Sequence, residues 1–92
     1  VAFALHANAP NPFNPETTIG FELASSTGVR LEVFDLLGQK VRTLVAQTLP
    51  AGSHQALWDG RNDAGIQVGS GVYVYRLEAG AFAQTRRMML VK

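Results

Sequence analysis

The chain has 92 residues, 47% of them hydrophobic and 16% charged, with no cysteine and a formal net charge of +1. That length builds one domain around one core. A near-neutral balance gives no electrostatic footprint for nucleic acid or an anionic membrane. The lack of cysteine excludes a disulfide framework, thiolate metal ligands and a cysteine nucleophile.

Residues 1–92 are expected to form a single domain, with residues 1–7 a first strand or a linker from an upstream domain. The opening VAFALH has no basic leader, and no run approaches the about 20 apolar residues of a membrane helix, so membrane insertion is not expected. The stretch Asn8-Ala9-Pro10-Asn11-Pro12-Phe13-Asn14-Pro15 follows. Each proline fixes its own φ and drives its predecessor towards extended conformations. It reads as a stiff crossing from one sheet to the other, with Phe13 as anchor.

Short apolar runs between Gly and Pro breakers then recur along the chain. Thr18–Leu23 places Ile19, Phe21 and Leu23 on one face, and Val29–Val33 places Val29, Leu31 and Val33 there, with Arg30 and Glu32 towards water. A period of two marks a half-buried antiparallel strand. Asp35–Gln39 reads as a hairpin loop with Gly38 in the left-handed conformation. Lys40–Val45 is read as a strand, although Val41, Leu44, Val45 and Thr48 also fit a helical stripe and a helical turn near Ala46 is compatible with it. Ser53–Trp58 is the next strand, with His54, Ala56 and Trp58 on one face. After a polar loop at Asp59–Gly65, a short edge strand is expected over Ile66–Val68. Gly71–Ala79 and Phe82–Val91 complete a hairpin. The pattern predicts an all-β fold, a seven-stranded antiparallel immunoglobulin-like sandwich. Its expected core is Ile19, Phe21, Leu23, Leu31, Val33, Trp58, Tyr73, Tyr75, Leu77, Met88 and Leu90.

Catalytic signals are absent. His6 and His54 lack a His, Asp or Glu partner at metal-ligand spacing, and His54 on a strand reads as a packed or half-exposed structural residue. No serine sits on a strand-to-helix elbow, and Gly69-Ser70-Gly71 runs into a strand where a phosphate loop would run into a helix. No cofactor is expected. Asp59, Asn62 and Asp63 are the weak candidates for a cation, because Ca²⁺ takes several such oxygens. Their spacing does not fit a Ca²⁺ loop, and Asp and Asn side chains commonly bond nearby amides in turns. Trp58, if exposed, would suit a sugar platform. Its strand position favours the core.

Several stretches together resemble the type A C-terminal sorting domains of type IX secretion. They are Asn11-Pro12-Phe13-Asn14-Pro15 leading into Thr17–Leu23, Val33–Val41, Gly52-Ser53-His54 leading to Trp58-Asp59-Gly60, Gly71–Leu77, and the close Arg87-Met88-Met89-Leu90-Val91-Lys92. Trp58–Gly65 is shared with the immunoglobulin-like domain of flagellar hook-capping proteins, to which the sorting domains look related. The resemblance implies a domain that ends a larger secreted protein, often a hydrolase, and directs it through outer-membrane machinery. A sortase-like protease then removes the domain, and the cargo is released or attached at the cell surface. It implies passage through the periplasm of a Gram-negative bacterium and an upstream catalytic domain in the parent protein. Carried over, the recognition residues would be Gly71, Tyr73, Arg87, Met88, Leu90 and Lys92. The alternative is an extracellular scaffold or carbohydrate-binding module of a multidomain enzyme, or a hook-capping-type domain.

Overall fold

In the computed structural model, which describes residues 2–91, all regular structure is β. Seven strands run in chain order as β1 (Ala4–Leu5), β2 (Thr17–Leu23), β3 (Thr27–Phe34), β4 (Lys40–Leu49), β5 (Gly52–Trp58), β6 (Gly71–Ala79) and β7 (Phe82–Leu90). They form a three-stranded sheet in the order β1-β2-β5 and a four-stranded sheet in the order β4-β3-β6-β7, with every strand pair antiparallel.

The core lies between the sheets, where the period-two alternation of each strand points. All eleven residues expected there are buried, and Leu5, Phe13, Val29 and Ala79 join them. Register explains the sharing of faces. Ile19 stands across from Ala56 and Phe21 from His54, while Leu31 stands across from Leu77 and Val33 from Tyr75. Cross-strand partners share a face, so one buried residue fixes its neighbour's side. Trp58 has no exposed surface. Its ring packs against Phe13 at 5.6 Å and meets the edge of Tyr73 at 5.3 Å.

The Asn-Pro segment makes the expected crossing. Ala9 bridges to Thr18 in the three-stranded sheet, and Phe13 bridges to Leu90 in the four-stranded one. Asn8 Nδ2 and the Thr17 hydroxyl both donate to the Pro10 carbonyl, at 3.2 and 2.9 Å, which pins the middle of the crossing.

One expectation is corrected. Ile66–Val68 is not a strand; its contribution is an isolated bridge between Arg61 and Gln67, and Ile66 is 63% exposed. The nearby edge of β4 is already taken by Asp63, so no partner strand is left there. The seventh strand is Ala4–Leu5. β4 is the strand expected over Lys40–Val45, and it stays extended to Leu49 with no helical turn near Ala46. Its apparent helical stripe has another cause. The register with β3 slips twice, pairing Leu31 with Val45 but Glu32 with Thr43, and Val33 with Arg42 but Phe34 with Lys40. Leu44 and Val41 are the extra residues. Each bulge breaks the period of two, so Val41, Leu44 and Val45 all reach the core margin from a strand.

Candidate recognition surface

β6 and β7 carry most of the candidate recognition residues, and the alternation divides them. Tyr73, Met88 and Leu90 point inward and are 9%, 2% and 1% exposed. Tyr73 donates its hydroxyl to the Gly69 carbonyl at 2.7 Å. These three hold the strand pair in place and offer no surface to a partner while the domain is folded. Gly71 is half-buried at the start of β6, and Arg87 is exposed on the outer face. Lys92 lies outside the described residues. Burial holds the Tyr73 hydroxyl above its ordinary pKa of 10.0, with the Asp35 charge adding to the rise. Burial raises Tyr75 as well, against a backbone hydrogen bond from Asn8 and the charge of Arg86.

β7 is an edge strand. The Met89 N–H donates to Asn11 Oδ1 at 3.0 Å, and the Met89 carbonyl accepts from the Phe13 N–H at 3.0 Å, so both groups point away from β6. By the two-residue repeat, the backbone groups of Ala83, Thr85 and Arg87 point the same way. No backbone partner meets them among the described residues. At the other end of β7, β1 stitches the two sheets together. Arg86 Nε donates to the Leu5 carbonyl at 2.8 Å, Tyr75 donates to the His6 carbonyl at 2.7 Å, and Phe3 stacks on Phe82 at 5.6 Å.

The acidic loop builds a turn. Asp59 Oδ1 accepts from the Arg61 N–H at 3.1 Å and faces Arg42 Nη1 at 3.4 Å. Asn62 Oδ1 accepts from the N–H groups of Ala64 and Ile66, both at 3.0 Å. Asp63 Oδ1 accepts from the Thr43 N–H at 3.0 Å, while the Asp63 N–H donates to the Val41 carbonyl at 3.0 Å. The three side chains therefore spend oxygens on separate amides, and Asp63 acts as a substitute strand along β4. Among the described residues no group of three His, Cys, Asp or Glu side chains is placed to hold a metal. Trp58 anchors the loop from below through Nε1–H to the Arg61 carbonyl at 2.9 Å. Gly60 has φ +76°, and a Cβ there would stand 2.5 Å from Gln67 Nε2. Only glycine fits that bend without displacing Gln67.

The Asp35–Gln39 hairpin repeats the Asn62–Ile66 design. Asp35 Oδ1 accepts from the N–H groups of Leu37 and Gln39 at 2.9 and 3.0 Å, and Gly38 has φ +84°. Sequence spacing missed one pair altogether. His6, just past the end of β1, meets Glu22 Oε2 of β2 through Nε2 at 2.8 Å. The two residues are far apart in the chain, and only strand register brings them together.

This arrangement defines a class: a two-sheet immunoglobulin-like sandwich whose loops are spent on structure and whose last strand is an open edge. The match to the FlgD Ig-like domain family covers residues 7–81, and the chain belongs to that family. No curated protein matches it in sequence. Among solved structures, it is similar to a segment of dimeric latent PorU from Porphyromonas gingivalis, with TM-score 0.76 and 19% identity. That match covers 99% of this chain and 10% of PorU. FlgD from P. aeruginosa matches with TM-score 0.64 and 23% identity over 80% of this chain and 57% of its own. PorZ, a surface component of the type IX secretion system of P. gingivalis, matches with TM-score 0.60 and 21% identity over 98% of this chain and 11% of its own. The chain thus spans about a tenth of PorU and PorZ and just over half of FlgD.

Proposed function

We propose that this domain is a non-catalytic export module. It would direct a larger secreted protein across the outer membrane through type IX machinery, for attachment at the cell surface or release. One observation carries the reading. The family match stops at residue 81 and starts at residue 7, leaving out β1 and β7, whereas the PorU and PorZ segments span nearly the whole chain. The two strands that knit the termini together thus fall within the spans that match PorU and PorZ, the latter a surface component of the type IX secretion system. The Asn-Pro-Phe-Asn-Pro opening and the basic-apolar close point the same way. In this reading the partners are the outer-membrane machinery, a sortase-like protease and an upstream catalytic domain. The route is through the periplasm of a Gram-negative bacterium.

The physical rationale is that a folded domain can be recognised only by its surface. An open edge strand offers unpaired backbone groups that another strand can complete. The test is a fusion of a signal peptide, a foreign cargo and this domain in a host with type IX secretion. Cargo should appear outside the cell. Retention of the folded fusion in the periplasm sinks the reading and favours the second one, a hook-capping-type scaffold, for which the family match speaks. The sugar-platform alternative loses its aromatic, because Trp58 is fully buried.

A further inference from the structure

The outer face of the four-stranded sheet changes character along its length. Across the register from β4 to β7, one row runs Lys40, Phe34, Val74, Arg87, and beside it Val72 stands against Met89. Farther from that end the rows are polar and charge-matched. Glu32 stands across from Arg76, and Arg30 from Glu78. Arg76 Nη2 there is 3.2 Å from Glu78 Oε2, and Lys40 Nζ in the first row is 3.9 Å from Glu32 Oε2. Among the described residues no carboxylate stands within ion-pair distance of Arg87 or of Arg30. The outer-face neighbours of Arg87 are Thr85, Met89 and Val74, none of them charged.

A hollow of about 250 Å³ lies at this cation, lined by Asn11, Val72, Arg87, Met88 and Met89. Met89 is 43% exposed at its rim, and the floor is the apolar flank of β6 and β7. The hollow sits beside the open stretch of β7, where the crossing segment at Asn11 ends the free edge. A larger hollow of about 490 Å³ lies at the far end over Gly28 and Gly80. Its lining holds both signs of charge, Arg30 and Glu78, beside Gln47 and Thr48, so it offers neither a charge of one sign nor an apolar floor.

We infer that the smaller hollow is a docking pocket for an extended protein segment bearing a bulky apolar side chain next to a carboxylate. The apolar group fills the space over Val72 and Met89, and the carboxylate pairs with Arg87. Charge complementarity fixes the sign of the partner. An unmatched guanidinium on an apolar floor loses hydration on docking, and only an anion restores what is lost. Methionine at the rim adapts to side chains of differing shape. The inference deepens the export reading by giving the partner on this strand pair a chemistry.

The test uses the full chain with labelled methyl groups and three probes: a short peptide alternating Leu and Asp, one alternating Leu and Lys, and phosphatidylglycerol vesicles. The Leu/Asp peptide should give saturable shifts at the Val72 and Met89 methyls. Arg87→Glu should weaken it by about tenfold or more, the loss of one charge-assisted pair, and transfer the preference to the Leu/Lys peptide. Met89→Ser should weaken it with the melting temperature unchanged. Equal binding of both peptides, shifts centred elsewhere, or competition by the vesicles would overturn the inference. The fusion experiment separates the two claims. A wild-type fusion that stays in the periplasm, with peptide binding intact, removes the export reading alone. An exported fusion in a domain that ignores the Leu/Asp peptide removes the pocket alone.

Discussion

The two edges of the four-stranded sheet are treated differently. On the β4 side, Asp63 bonds the Thr43 N–H and the Val41 carbonyl, so a loop stands where a strand would pair. On the β7 side, Asn11 and Phe13 bond Met89 and Val91 and stop there, leaving the run from Ala83 to Arg87 open. Exposed edges invite pairing with other chains, and proteins blunt those that must stay single. Asp63 caps β4 at Val41 and Thr43, which blocks strand pairing on that stretch, whereas the run from Ala83 to Arg87 of β7 is left uncapped. The sealed side also uses up the acidic residues that would otherwise look like a ligand site.

The most disruptive way to break this contrast is Trp58→Ala. It removes the largest buried side chain and the Nε1–H that holds the Arg61 carbonyl, so both core and sealing loop lose their anchor. Unfolding in urea should show a loss of about 3–5 kcal/mol, a large part of the stability of so small a domain. A smaller change sharpens the comparison. Asp63→Ala frees the Thr43 N–H at a cost of about 1 kcal/mol or less. Amide exchange at Thr43 should then rise towards the fast rates expected at Thr85 and Arg87. If it stays protected, the loop backbone alone seals that edge.

The smallest effect is a pH dependence. Tyr73 and Tyr75 have folded-state pKa values raised above 10.0, chiefly by burial. Their protonated forms are the ones the fold accommodates. The associated stability is complete below about pH 10 and is lost as pH climbs through the raised values. Denaturation midpoints should fall on that alkaline limb, and Tyr75→Phe should flatten the fall. An unchanged limb in the variant would place the alkaline sensitivity elsewhere.

Much of this architecture was legible in the sequence because a half-buried strand writes its face into every second residue. The β2, β3 and β6 segments carry unbroken alternation, which marks their large inward apolar residues, while the small Ala79 and the polar Thr17 at the strand ends do not stand out. β4 was harder, since two bulges shift its apolar residues to spacings that imitate a helix. Ile66–Val68 misled for the opposite reason: an apolar alternation sat in a loop whose only adjacent edge was taken. β1 has two residues, too few for a period to register. Of the candidate surface, the exposure of Arg87 and the burial of Met88 and Leu90 follow from alternation alone. The pairing of His6 with Glu22 and the hollow beside Asn11 depend on register and on the path of the crossing segment, and local sequence encodes neither.

The stitching by β1 has a mechanical consequence. A pull on Phe3 does not peel a single hairpin. It loads the backbone pairing of Ala4 and Leu5 with β2 and, through Arg86 and Phe82, the last strand of the opposite sheet. Tension is divided between both halves of the sandwich before any one bond gives way. A polypeptide hauled by its upstream end would therefore drag this domain as a unit.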